Sequence, residues 1–253
     1  MTVQDLIAAL SLPGSCRVDQ RVPKKLLVEN GAPTASDKRQ INDGIEEIQW
    51  LAALKPNTIG VPEYRDDVRE YLEIAVLSVT LRGNAKAGRL AELIHRAVPY
   101  PMVLLLNSGQ SLMLSLAHKR WSQNEAGKVV LDGDMVEVAL PGAAPSSAVE
   151  IAFMQTLTLA RQPQATLNAL YQGWMDRVEA LLAARLTGSF KDANSPEQAA
   201  ARRQGLQDCR RLELEAVSLR AKAAKEKQLA RQVELNLALK RVQAQLAAVR
   251  EQL

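Results

Sequence analysis

"YLEIAVLSVTLR", residues 71–82, is the stretch on which the fold turns. Ile74, Val76, Ser78 and Thr80 alternate with Ala75, Leu77, Val79 and Leu81, and this two-residue period in a run rich in branched side chains predicts a strand. Because both sets are largely apolar, the strand belongs in the middle of a sheet. Gly83 stops it, and "AKAGRLAELIHRAV", residues 85–98, changes to helical spacing through Leu90, Leu93, Ile94 and Val98. Four more apolar runs follow: "MVLLL", "LMLSLAHKRW", "KVVL" and "MVEVAL". Turns at "NSGQ", Asn124 to Gly127 and Asp132-Gly133 separate them. One strand, one helix and a series of short strands give an α+β class, a mixed sheet domain with flanking helices.

Where helix meets strand, "HRAVPYPMVLLL", residues 95–106, places prolines on both sides of Tyr100. Pro99 ends the helix, and Pro101, having no N–H for a sheet ladder, fits the loop that feeds the next strand. Tyr100 is expected at this corner with its ring packed and its hydroxyl at the surface. A rigid loop held for a ligand is the alternative.

Upstream, "TVQDLIAAL" predicts a short helix ended by Pro13-Gly14. From Thr34 to Leu54, the spacing of Ile41, Ile45, Ile48, Leu51 and Leu54 predicts one long helix, broken by Lys55-Pro56-Asn57 before a short strand at "TIGV". The intervening "RVDQRVPKKLLVENG" shows little regular structure of its own.

Downstream of "PGAAPSS", the chain is read as entirely helical, with helices over 147–161 and 164–188 and a last one from Pro196 to the end. Leu235, Leu239, Val242, Leu246, Val249 and Leu253 carry the 4,3 rhythm of a coiled-coil interface; Leu212, Ala216, Leu219 and Ala223 repeat it in a shifted register. Such a helix pairs with a second copy in a homodimer, lies against another protein, or packs back on its own chain. The organisation expected is an α+β domain over 1–145, a helical segment over 146–195 and a coiled-coil helix over 196–253.

Composition narrows the function. With 253 residues and 47% apolar side chains the chain can bury a core. No apolar run is long enough to span a bilayer and no basic, apolar leader opens the sequence, so no membrane contact and a cytoplasmic location are expected. Cys16 and Cys209 are too few and too distant for a disulfide framework or a zinc site. Residues 197–253 hold twelve Lys and Arg against seven Asp and Glu, so the basic character sits in the C-terminal helix and the rest of the chain is close to neutral.

Chemistry is sparse. The chain has two histidines, and neither has metal-ligand spacing to a cysteine or acid. His95, near a helix C-terminus, is expected to complement the dipole as a partly charged imidazole. His118, Lys119 and Arg120 open a basic patch ending in Trp121, which reads as a solvated strand end, with base stacking and phosphate contact as the alternative. Arg21, Lys24 and Lys25 cluster around Pro23, and Arg202, Arg203, Arg210, Arg211, Lys222, Lys225, Lys227 and Arg231 line the last helix; both groups are candidates for nucleic-acid or partner binding. "GNAKAG" lacks the spacing of a phosphate-cradling loop. A nuclease needs acids beside a lysine on a strand, whereas Asp66, Asp67, Glu70 and Glu73 precede a strand that carries no acid and ends in Arg82. No catalytic residue, metal or cofactor is expected.

Four stretches in order, "RVPKK", "DGIEEIQWLAALKPNTIGV", "EIAVLSV" and "AVPYPMVLLL", resemble the bacterial domain-of-unknown-function family 4391 over roughly residues 4 to 215, with the terminal coiled coil as an extension. Arg21, Pro23, Lys24, Lys25, Trp50, Pro56, Pro99, Tyr100, Pro101 and Lys119 carry the match. The resemblance implies a gene lying beside a helicase and a DNA methyltransferase in restriction or anti-phage defence clusters, and hence a non-catalytic accessory or assembly subunit that contacts one of these and DNA. It supplies no catalytic residues. A degenerate metal-dependent nuclease and a homodimeric coiled-coil sensor are the alternatives.

Overall fold

The computed structural model describes residues 1–83, 85–125, 127–142 and 146–253. The residues in "GNAKAG", in the Asn124 to Gly127 turn and in "PGAAPSS" that fall between these ranges, together with the boundary expected after residue 145, lie outside the described residues. The chain forms two compact units, Met1–Val178 and Glu179–Leu253.

The first unit begins with α1 (Val3–Leu10), whose N-terminus is closed by a capping box between Thr2 and Asp5. The polar stretch after it is ordered, contrary to expectation: it forms β1 (Arg17–Arg21) and α2 (Lys24–Gly31). β1 is the edge of the sheet, and its charged, exposed side chains are what an edge strand tolerates. The long helix expected over 34–54 is half helix and half strand. Thr34 caps α3 (Ala35–Gly44), and the chain then extends directly into β2 (Ile45–Leu54). Two irregularities in the β2 ladder, at Ile45/Glu47 and Trp50/Ala52, each add a residue between inward-facing side chains. Ile45 and Ile48 are therefore both buried at a spacing of three, which imitates a helix. "TIGV" is no strand either. Pro56 starts α4 (Pro56–Ile59), which ends at Gly60 in the left-handed conformation, and the Thr58 hydroxyl closes the turn on Lys55.

The hairpin of β3 (Tyr64–Arg65) and β4 (Glu70–Tyr71) leads into β5 (Ile74–Leu81), the strand anticipated from residues 71–82. β5 pairs antiparallel with β2 and parallel with β6 (Met102–Asn107); the crossover between β5 and β6 contains α5 (Ala87–Ala97). β7 (Ser111–Leu116) and β10 (Val136–Pro141) complete a six-stranded sheet of order β1-β2-β5-β6-β7-β10, while β8 (Lys119–Trp121) and β9 (Val129–Leu131) form a separate hairpin. On one face Ala75, Leu77, Val79, Met102, Leu104 and Leu106 pack with Leu27 of α2, Ile41 of α3 and Leu90, Leu93 and Ile94 of α5. Gly31 lets α2 close on α5, since a Cβ there would meet Ala97 Cβ and Leu93 O at 2.6 Å. α6 (Ala148–Thr156), a single 3-10 turn at Leu159–Arg161 and α7 (Leu167–Thr187) follow, with the Trp174 indole donating to Leu157 O at 2.8 Å.

In the second unit the terminal helix is not continuous. α8 (Pro196–Lys225), capped by Ser195, stops at Glu226, whose carboxylate accepts the backbone N–H groups of Lys227 and Gln228. α9 (Leu229–Glu251) then runs back along it. The two helices are antiparallel: Arg250 reaches Glu213 at 2.7 Å, and Gln232 donates to Ala223 O at 3.3 Å. The two rhythmic stretches are the two sides of one seam. Leu212, Ala216 and Val242 are buried, with Leu219, Leu239, Leu246 and Val249 packed against them and Leu235 half-buried. Leu253 lies against Gly205. The shifted register of the upstream repeat is the register of an intramolecular partner. Among the described residues no helix is long and apolar enough to cross a membrane.

Candidate functional site

The "HKRW" segment sits where β7 bends into the β8–β9 hairpin, and it is no exposed basic patch. Lys119 is only 2% exposed. Its Nζ donates to His95 O and, at 3.0 Å, to Val98 O, the last carbonyls of α5. A cation at a helix C-terminus satisfies carbonyls that have no partner within the helix. Burial pulls the amine down to about 7. That range suits a nucleophilic lysine, but here the ammonium is engaged by two carbonyls.

His95 departs further from expectation. It is fully buried in α5, where desolvation and the Lys119 charge lower its pKa to about 3, so the ring is neutral and not a partly charged dipole partner. Its Nε2 lies 3.0 Å from Ser115 Oγ, which in turn donates to Glu137 Oε1 at 3.2 Å. Serine stands between histidine and acid, so the imidazole is not positioned by a carboxylate as a general base would be.

His118 belongs to an aromatic corner. Its Nε2 bonds to Gln172 Oε1 at 2.8 Å, and its Nδ1 meets the Tyr71 hydroxyl. Because the amide oxygen can only accept, Nε2 carries the proton and Nδ1 accepts from Tyr71. Gln172 passes the chain on to Asp176 at 2.7 Å. Tyr71 and Tyr171 hold the imidazole edge-on, with centroids 5.9 and 5.5 Å away. Tyr171 also donates to Met102 O and accepts from Ala117 N, so the group locks β4, β6, the β7–β8 bend and α7 together. Tyr71 lies 47 residues before His118, and Tyr171, Gln172 and Asp176 come together from α7 more than 50 residues after it, so no local spacing announces the group.

Tyr100 is 41% exposed. It lies at a cleft of about 180 Å³ lined also by Glu70, Pro99, Lys119, Arg120 and Trp121. Pro101 opens β6, its carbonyl accepting from Ala75 N. Arg120 faces Asp132 at 3.6 Å, and the same carboxylate holds Arg69 Nε at 2.6 Å, so Asp132 ties the two hairpins together.

The acids considered for metal binding diverge. Asp66 accepts from Tyr64 and from the backbone of Val68 and Arg69 within the β3–β4 turn, Glu70 pairs with Arg65, and Glu73 pairs with Lys55 at 3.0 Å. No group of three potential metal ligands occurs among the described residues.

The "RVPKK" cations also part company. Arg21 faces Glu47 from the end of β1, Lys25 faces Glu29 one turn on, and Lys24 reaches Asn42 O and Ile45 O where α3 becomes β2. In the second unit Arg202 is buried and donates to Lys191 O, Arg203 pairs with Glu179 at 3.1 Å and Arg211 with Asp208 at 3.0 Å. Arg210, Lys222, Lys225, Lys227 and Arg231 stay exposed. Only Lys222, Lys225, Lys227 and Arg231 fall together, around the tip of the α8–α9 hairpin. Leu229 is 75% exposed there, with Val233 and Leu237 following along α9 at 50% and 52%; Leu214 and Val217, further back on α8, are 72% and 59% exposed. The tip is the surface on which the sequence candidates and an exposed apolar face coincide.

Comparison with curated proteins and with solved structures returns no match. A family model described as "Domain of unknown function (DUF4391)" matches residues 10–246, and so includes most of α9, which is no appendage to the family's chain. Covering the sheet, the aromatic corner and the hairpin alike, this match establishes that the chain belongs to the DUF4391 family.

Proposed function

We propose that the protein is a non-catalytic accessory subunit of a bacterial restriction or anti-phage defence system, assembling through its C-terminal hairpin with a helicase or DNA methyltransferase encoded beside it. One observation carries the reading. The hairpin fills its coiled-coil seam with its own two helices and still leaves large apolar side chains in water, on the faces of α8 and α9 turned away from that seam. The titratable groups of the α+β unit support it by their engagement: His95, His118 and Lys119 each serve an internal bond. DNA contact by the exposed cations of α8, Arg210, Lys222 and Lys225, is part of the proposal, and its affinity falls steeply with salt.

The test is co-expression of the tagged full-length protein with its neighbouring genes and purification at moderate salt, with a Leu229→Ser, Val233→Ser, Leu237→Ser variant in parallel. The expected result is a helicase or methyltransferase retained by the parent protein and lost from the variant. A protein that purifies alone in both cases overturns the reading.

A further inference from the structure

We infer that the outer face of α9 docks an acidic amphipathic helix of a partner protein, whose apolar stripe covers Leu229, Val233 and Leu237 while its carboxylates meet Lys227 at one end of the stripe and Lys240 and Arg241 at the other. The inference rests on the accessory-subunit reading and specifies the chemistry of the partner.

Single exposed leucines are ordinary on a protein surface, but these three recur at intervals of four residues on one helix. At 100° per residue they span about 80° of the helix, centred about 150° from the seam residues Leu235, Leu239, Val242 and Leu246. Packing with α8 therefore does not reach them. The spacing is that of a helix-binding surface, in which a second helix lays its own i, i+4 residues along the first.

Charge decides which helix. Residues 217–241 hold seven Lys and Arg, namely Arg220, Lys222, Lys225, Lys227, Arg231, Lys240 and Arg241, against Glu226 and Glu234 alone. Glu226 is occupied by the backbone of the turn and faces Arg231 at 4.0 Å, so this pair stays within the hairpin. By the same spacing Lys240 and Arg241 lie on the stripe side of α9 beyond Leu237 and Lys227 stands just before Leu229, all exposed, with Glu234 as the one acid on that side. A second copy would bring the same positive surface against this one, so self-association on this face is opposed. DNA would engage the cations and leave the leucines in water. An acidic amphipathic helix satisfies both.

Full-length protein titrated into a labelled peptide of about four heptads, with Leu at positions a and d and Glu at e and g, tests this by fluorescence anisotropy. The comparison probes are the matched peptide with Lys at e and g, a short DNA duplex, and phosphatidylcholine vesicles containing phosphatidylserine. The Glu peptide is expected to bind at least about tenfold tighter than the Lys peptide and to lose at least about tenfold with Leu229→Ser, Val233→Ser, Leu237→Ser. Lys227→Glu, Lys240→Glu, Arg241→Glu is expected to reverse the peptide preference. All six positions are exposed, so unchanged helical circular dichroism separates lost binding from lost folding. Equal affinity for the two peptides, no saturable binding, or tighter binding to duplex or vesicles overturns the inference. Peptide binding without a co-purifying helicase or methyltransferase leaves the docking surface standing and removes the accessory-subunit reading. The converse result removes the docking surface and keeps that reading.

Discussion

Lys119 and Lys225 face the same electrostatic feature, the C-terminal end of a helix, and meet opposite fates. Lys119 comes from a neighbouring strand and is sealed against the last carbonyls of α5; Lys225 lies on the last turn of α8 and is open to water. The helix dipole favours both. Burial makes the first a structural part whose bonds have no aqueous substitute, and exposure leaves the second available to a partner. A basic residue in the sequence is thus no guide to a basic surface until its burial is known.

The largest effect expected from breaking this contrast is at Lys119. Lys119→Ala strands His95 O and Val98 O inside the fold and is expected to lower stability by about 3 kcal/mol in urea unfolding. A loss below about 1 kcal/mol would make Lys119 as dispensable as a surface cation. Next comes the seam of the hairpin. Leu212→Ala, at a residue 2% exposed, is expected to cost about 2–3 kcal/mol, and hydrogen exchange should report faster opening of α8 and α9 with β5 and β6 unchanged. Faster exchange in β5 as well would show that the two units open together.

A pH series sharpens the comparison. His95 has a folded pKa of about 3 against an ordinary 6.5, so the unfolded chain binds the extra proton and stability falls as pH drops from 6.5 towards 3. From pH 7 to pH 5 the loss is roughly 2 kcal/mol, and His95→Gln should flatten the slope whatever its own baseline. Lys119 works in a separate window. Its folded pKa of about 7 against 10.5 makes its contribution rise between pH 7 and 10.5, and Lys119→Met should abolish that rise. At the small end, Lys225→Ala is expected to change stability by less than about 0.5 kcal/mol, and a larger loss would mean the tip is more than a solvated surface.

Much of the fold is legible where a segment obeys one period throughout. β5 and α5 are clean cases, and their order gives the parallel β5–β6 pair with its helical crossover. β2 is not legible, because its irregularities turn a two-residue alternation into a three-residue one and the isoleucines then read as a helix. The candidate site divides along the same line. The exposed tip cations are visible as charges in sequence, whereas Asp132, Gln172, Tyr71 and Tyr171 join their partners across 47 to 69 residues of chain.

By itself the sequence determined the α+β class, the central strand, the helical C-terminal region and both halves of the coiled-coil rhythm, since each depends on a local period matched to a local geometry. Only the tertiary structure decided that those halves face each other, that Lys119 and His95 are internal, and that Leu229, Val233 and Leu237 remain in water. Burial depends on which distant surfaces meet, and a period along one segment carries no information about what will cover it.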